Sequence, residues 1–546
     1  MERRFFYRAS LATMAALLFS FALKAQSKDF KTAQALEIQY NILNELKSRF
    51  VDSIDTQKLI NIGINAMLES LDPYTEYIPA EDDEELELMT TATYGGIGSI
   101  IKKVDSIGVI ISQPYLGSPA IKYGLEPGDV IIKINGEDVA PLTADQCSSK
   151  MKGQPGTDVL FTVKKGRGGE IREYTITRER IHIPDVSYSG IISPKYAGNK
   201  KRGYIKLDSF TVNGSKDVKE ALIKLKAEGA EEIILDLRGN GGGLMDEAIK
   251  IVSLFVPKGT LVVSQKGKDE KDNYEYKTMD EPVDTLIPLM VMVNSGSASS
   301  SEIVAGAIQD LDRGTIVGTR TFGKGLVQAM RPVGFDGTVK LTIAKYYTPS
   351  GRCVQAIDYS NRNSDGSVGA VPDSLKKPFL TKNGRTVYDG GGITPDTLIT
   401  LPQYSRVALS LVMNDILNDY ALKYYASNNA IAPAGEFELT DAEYDEFVKY
   451  AAGREFDCRS AAQVQFEQMI KSAKAEDFYE INKSEFDSLS NKLSISKEEM
   501  LRLKKNEIKP LLEEEIAAKY HFTPGRIESI IRNDEQLHKA LSAGLQ

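Results

Sequence analysis

Histidine is scarce in this chain: His182, His521 and His538 are the only three in 546 residues. None lies near the stretches that suggest chemistry, so a Ser-His-Asp arrangement would have to borrow its base from a distant part of the chain. Cysteine is equally rare. Cys147, Cys353 and Cys458 are odd in number and widely separated, which gives neither a disulfide framework nor a zinc-ligand spacing. After the first 25 residues no run reaches the roughly 18 apolar residues that a membrane-spanning helix needs, and the mature chain is expected to be soluble or peripheral. Excess positive charge is also lacking. With a formal charge of −9, nucleic acid is not an expected partner.

The start of the chain has a different composition. Arg3, Arg4 and Arg8 precede an apolar segment from Leu11 to Leu23, and Leu23-Lys24-Ala25 then leads into polar sequence. This is the layout of a cleavable secretory signal over residues 1–25, and it sets the expected location as exported, into the bacterial periplasm. The segment carries four positive charges and one negative, so the chain without it has a formal charge of about −12.

Length alone suggests three or four domains at roughly 100–200 residues each, and composition divides the chain accordingly. Residues 26–90 show apolar positions at spacings of three and four ("ALEIQYNILNELKSRF", "QKLINIGINAMLESL"), a helical pattern. Residues 91–180 are short β-rich segments broken by glycine. Residues 181–401 alternate strand and helix, which argues for an α/β layer structure. Residues 402–546 are helix-like and strongly charged, and read as a separate helical region.

The densest candidate for chemistry is "VNSGSASSSEIV", with five serines between Ser295 and Ser301, after the apolar run "LIPLMVMV" and before a helical pattern. Ser299 and Glu302 have capping-box spacing, so a serine here is expected even without chemistry. A serine at a strand-to-helix turn also suits a nucleophile, because helix N–H groups point where negative charge develops. The spacing fits both. An activated serine needs a base, and "GTRTFGKGLVQ" places Lys324 between glycines, with apolar residues following. To act as a base near neutral pH such a lysine must lose roughly three units from a pKa near 10.4, which desolvation supplies. Gln328 lies four residues on; in a helical turn it shares a face with Lys324 and orients the amine without adding charge. The turn "LDLRGNGGGLM" ends a strand in glycines whose amides a substrate can approach closely, although it lacks the lysine and hydroxyl of a phosphate-binding loop.

Two resemblances tie these pieces together. Residues 91–180 resemble a PDZ domain through the loop Gly95, Gly96, Ile97, Gly98 followed by "SPAIKYGLEPGDVIIKINGEDV" and "KGQPGTDVLFTV". Amides of such a loop can turn toward a carboxylate, while a strand edge accepts an extended peptide. Over about residues 30–400 the ordered motifs "LDPYTEYI", "YIKLDSF", "DLRGNGGGL", "VNSGSASSSEIVAGAIQD", "GTRTFGKGLVQ", "YYTPSGRCVQ" and "GGGITPD" resemble the carboxyl-terminal processing (tail-specific) serine peptidases. That family implies a multidomain α/β protein: a tail-specific protease core with crotonase-like layers, an inserted PDZ-like β domain and helical N- and C-terminal regions. It also implies Ser299 as nucleophile, Lys324 and Gln328 as its partners, and the amides of Ser300 and a turn glycine, Gly242, as oxyanion donors. Ser300 stands where the family usually has alanine, and "GNGGG" where it often has "NNPGG".

The expected activity is therefore a serine endopeptidase that takes protein or peptide substrates by their C-terminal tails and needs no metal or cofactor. The alternative is a catalytically silent PDZ scaffold. The helical regions are expected to serve an adaptor, an activator or self-assembly.

Overall fold

Strands that are buried on both faces carry continuous apolar runs, and the centre of this protein is built from such strands. In the computed structural model, which describes residues 30–104, 107–198, 200–363, 366–400 and 403–543, Leu289–Val293 and Glu232–Asp236 are buried throughout. They lie inside a six-stranded sheet ordered Val186–Ile191, Arg202–Leu207, Glu232–Asp236, Leu289–Val293, Thr315–Gly318 and Thr397–Leu398. The first pair is antiparallel and the remaining pairs are parallel. The expected signal segment, residues 1–25, lies outside the described residues.

The period of two along each strand divides the sheet's side chains between two layers. On one face Ile205, Leu207, Ile233, Leu235, Val291 and Val293 pack with helices Gly214–Ala227, Met245–Ser253 and Ser300–Asp310. Helix Ser300–Asp310 is buried at every residue. The other face presents Tyr204, Ile234, Met290, Met292 and Val317, and these are covered by Ile527, Ile531, Leu537, Ala540 and Leu541. Those residues belong to the last two helices, Lys505–Asn533 and Glu535–Ala543. The charged C-terminal region is thus no separate appendage, because its final helices form the third layer of the core. Each of these Ile and Leu side chains contributes about 1.5–3 kcal/mol by leaving water. The first of the two helices breaks at Phe522 (φ 57°, ψ −153°), ahead of Pro524, which has no N–H to continue the ladder.

The helices from Arg406 to Leu503 have their own core, with Leu411, Leu417, Tyr420, Tyr444, Phe447 and Leu501 at its centre. The PDZ-like domain is a β-sheet of strands Ser99–Val104, Gly108–Pro114, Val130–Ile134, Asp158–Lys164 and Ile171–Thr177. Helix Ala144–Met151 closes it over a core containing Ile111, Ile131, Val159 and Phe161. It is fastened to the helical region by Arg167, which donates to the carbonyls of Tyr425 (2.8 Å) and Asn428 (3.0 Å). Lys102 on Asp415 (2.7 Å) and Gln113 on Thr523 (2.9 Å) complete the contact.

By contact density the chain divides into two units, residues up to 79 with 330–341, and residues 80–329 with 342 onward. In the first unit, helix Thr56–Glu69 starts on an Asp55 cap and strand Glu76–Ile78 pairs with residues 338–340. Among the described residues no helix is long and apolar enough to cross a membrane.

Burial within helix Lys505–Asn533 pushes the Glu514 carboxyl up to about 7; Arg526 opposes this, and Glu515, Asp534 and Glu513 add to it. The folded protein therefore keeps a proton that the unfolded chain loses near 4.5, the group's ordinary value. The stability this group contributes falls as pH rises through that window and stays low above it. Replacing Glu514→Gln is expected to raise the thermal unfolding midpoint at pH 8, corresponding to up to roughly 3 kcal/mol, and to give no gain at pH 4.5. Thermal unfolding of both proteins at the two pH values checks this.

Candidate active site

The serine-rich turn is pinned from below by its own hydroxyls. Ser297 Oγ donates to the Leu237 carbonyl (2.8 Å), Ser300 Oγ to Gly243 (2.8 Å) and Ser301 Oγ to Asn240 (2.9 Å). All three serines are buried. Ser299 differs from them. It is partly exposed, and its backbone has φ 54° and ψ −114°, far from the extended conformation of an ordinary serine cap. Such a conformation costs a non-glycine residue about 1–3 kcal/mol and persists only where its surroundings enforce it.

The enforcing group is Glu302, which is fully buried. Its Oε2 accepts the N–H of Ser299 (3.0 Å) and the N–H of Lys324 (2.8 Å). Its Oε1 accepts Thr321 Oγ1 (2.6 Å) and the N–H of Gly323 (2.7 Å). Burial pushes this carboxyl above its usual range, and the four donors partly offset the shift. One carboxylate thus joins the loop that carries Ser299 to the loop that carries Lys324. A further bond, from the Phe322 N–H to the Ser297 carbonyl (3.0 Å), holds the same two loops together.

Lys324 is half-buried. The glycines beside it admit a neighbouring segment: a Cβ on Gly323 would lie 2.4 Å from the Ala356 Cβ, and one on Gly325 would lie 2.7 Å from the Gln355 N. Gln328 is not in a helical turn, because Leu326–Gly334 is a strand. The expected i, i+4 helical relation therefore does not hold. Lys324 itself lies outside that strand, in the irregular chain before Leu326. The Gln328 Nε2 donates to Thr342 Oγ1 (3.2 Å).

The glycine turn meets the serine turn at Gly242. With φ 101°, a Cβ there would lie 2.8 Å from the Ser299 Cβ and 3.0 Å from the Ser300 N. Only glycine allows so close an approach. The Gly242 N–H donates to Asn240 Oδ1 (2.8 Å), so this amide is engaged inside the turn. Asn240 is the turn's hub, and sequence reasoning passed over it inside "GNGGG". Fully buried, it donates to the Leu207 carbonyl (2.9 Å) and accepts the Ala298 N–H (3.0 Å) on its own carbonyl, beside Ser301 Oγ. Glu302 likewise gives no sequence signal beyond that of a cap, through its spacing from Ser299.

The loop expected to bind peptide carboxylates is split between two settings. Gly95 and Gly96 lie in strand Thr93–Gly96, paired with Arg180 and Glu179. Ile97 is buried and its carbonyl accepts the Ala120 N–H (2.9 Å); Gly98, at φ 73°, accepts the Tyr115 N–H (2.9 Å). The carbonyl side of the loop is therefore fixed by its own domain.

This architecture defines a multidomain serine peptidase. The model of peptidase family S41 matches residues 201–361, that of a PDZ domain matches 110–165, and that of a "Probable PDZ-protease, C-terminal helical domain" matches 407–543. The chain is 35% identical over 321 residues to a carboxy-terminal-processing protease of Bartonella bacilliformis, covering 58% of this chain and 72% of that one. It is also 35% identical over 331 residues to a probable CtpA-like serine protease of Staphylococcus aureus, covering 59% and 64%. Among solved structures, the photosystem II D1 C-terminal processing protease aligns with 26% identity and a TM-score of 0.36, over 66% of this chain and 86% of that one. The chain belongs to peptidase family S41, the carboxy-terminal-processing serine peptidases.

Glu302→Gln tests the shared carboxylate. The amide keeps the size but turns an NH2 toward groups that are themselves donors. We expect the protein to fold and kcat to fall about 10- to 100-fold through misplacement of the two loops, with a smaller change in KM. Steady-state kinetics alongside thermal unfolding provide the check.

Proposed function

We propose that this protein is an exported endopeptidase of the bacterial periplasm that cleaves proteins by a serine-lysine mechanism. The observation that carries the reading is Glu302, whose one oxygen accepts from the backbones of both Ser299 and Lys324. A bridge of that kind is of use where the two side chains must act on each other.

Lys324, as the neutral amine, takes the proton from Ser299 Oγ while that oxygen attacks a peptide carbonyl carbon. The oxyanion is held by the Ser300 amide and by an amide of the glycine turn. For Gly242 to serve, its bond to Asn240 Oδ1 opens as substrate binds. Lys324 then passes the proton to the departing amine, which leaves an ester on Ser299. Water hydrolyses that ester with the amine again as base. Gln328 orients the amine without adding charge. Substrates are recruited by their C-terminal tails at the PDZ domain, near Gly95, Gly96, Ile97 and Gly98, and the helical regions serve an activator, an adaptor or self-assembly.

The test compares the mature protein with Ser299→Ala and Lys324→Ala on an unstructured protein such as casein, with cleavage followed by mass spectrometry from pH 5 to 9. Cleavage by the unmutated protein alone, rising with pH as the amine loses its proton, is the expected result. Equal cleavage by all three would overturn the assignment of these residues, and no labelling of Ser299 by a serine-directed phosphonate would favour the scaffold.

A further inference from the structure

The C-terminal helices reach the entry of the glycine turn through the side chain of Arg238. Arg238 lies two residues beyond strand Glu232–Asp236 and immediately before Gly239–Gly243. Its guanidinium is held from two sides. Nε lies on both oxygens of Asp236 (3.0 and 2.9 Å), in its own segment. From the helical layer, Asp534 Oδ2 accepts one terminal nitrogen (2.5 Å) and Gln536 Oε1 the other (3.1 Å). Arg238 and Asp534 are 14% and 5% exposed, so these charge-assisted bonds are little weakened by water.

Both helical groups are themselves fixed. Asp534 Oδ1 accepts the Leu537 N–H (2.9 Å), and Gln536 Nε2 donates to the Ile399 carbonyl (2.6 Å) at the end of the core sheet. On the other side of Arg238, bonds run directly into the turn. Lys206 Nζ donates to the Arg238 carbonyl (2.5 Å), and the Gly239 N–H donates to Asn294 Oδ1 (2.9 Å), which also accepts the Gly296 N–H of the serine turn. Asn240 follows, with its bonds to Gly242, Ala298 and Ser301.

The turn has little stiffness of its own. Gly239, Gly242 and Gly243 all have positive φ, conformations that glycine adopts and leaves easily. Its geometry depends on the bonds that hold it: those of Asn240, Ser300 and Ser301 at its middle, and an anchor at each end. At the exit the Leu244 N–H donates to the Phe210 carbonyl (2.7 Å), and at the entry the anchor is Arg238.

We infer that Asp534 and Gln536 are positioning residues for the reaction: through Arg238 the C-terminal helical domain sets the geometry of the glycine turn and hence the rate of the chemical step. This rests on the reading of Ser299 and that turn as the reacting centre. The role is distinct from covering the sheet, which Ile527, Ile531, Leu537 and Leu541 perform.

The experiment uses the full mature chain carrying Asp534→Asn, Gln536→Ala, or Asp534→Asn with Gln536→Glu, which moves the carboxylate to the other nitrogen of Arg238. Competent sites are counted by saturating labelling with a serine-directed phosphonate, and kcat per labelled site and KM are measured on one peptide substrate. The expected result is a fall in kcat per labelled site of about ten-fold in Asp534→Asn and a smaller fall in Gln536→Ala. KM should stay within about two-fold of the original, and part of kcat should return in the relocated-carboxylate variant. An unchanged kcat per labelled site, with any lost activity matched by fewer labelled sites, would overturn the inference and leave the contact as packing. A change confined to KM would also overturn it. If Asp534→Asn does not fold, Gln536→Ala is read by the same criteria, since it leaves both ion pairs of Arg238 in place. Labelling that persists in Ser299→Ala would instead remove the reading of the site, so the two failures are separable.

Discussion

The site depends on a carboxylate that has no contact with water. Glu302 lies in the first turn of a helix buried on all sides, and an unpaired charge there would cost several kcal/mol. The cost is offset because four donors converge on its two oxygens, three of them backbone amides and one the Thr321 hydroxyl. These donors come from two stretches of chain about 20 residues apart in sequence. Neither stretch can move away without leaving part of a buried charge unsatisfied, and this makes the relative placement of the Ser299 and Lys324 backbones a property of the core. The strain at Ser299 persists for the same reason, since its N–H is one of the four.

The second constraint is the sheet's other face. A layer of Tyr204, Ile234, Met290, Met292 and Val317 cannot be left to solvent, and the chain covers it with its last two helices. Those helices continue into a region that grips the PDZ domain through Arg167, Lys102 and Gln113. The PDZ domain, the helical domain and the protease sheet are therefore linked through packed side chains, and the helical domain is the element common to both contacts.

Much of this was legible in the sequence because it rests on local patterns. The alternation of strand and helix between residues 181 and 401, the glycine-broken β segments before it and the strand-turn-helix around Ser299 all follow from apolar periodicity and glycine placement. What escaped had a different physical origin. The role of the last two helices depends on which distant surface they cover, and charge-rich helices look alike whether they cover a sheet or stand alone. Glu302 at the third helical position carries one local meaning, a cap, and its bonds to Thr321, Gly323 and Lys324 cannot be inferred from that spacing. The i, i+4 spacing of Lys324 and Gln328 reads as helical in sequence, yet Gln328 lies in a strand that begins after Lys324, and the flanking glycines give no period that would mark the change. Asn240 was hidden by the glycines around it.

The arrangement also bears on how a lysine and a glutamate can share one site. In the mechanism proposed above Lys324 acts as the neutral amine, and a full negative charge beside it would favour the ammonium form instead. Here each carboxylate oxygen is covered by two donors, and the positive ends of four N–H or O–H dipoles lie against it. Glu302 is directed at amides, including that of Lys324 itself, and so fixes the position of the Lys324 backbone relative to Ser299. Three of the five serines, Ser297, Ser300 and Ser301, give their hydroxyls to the carbonyls of Leu237, Gly243 and Asn240, which fixes the turn that presents Ser299, the proposed nucleophile.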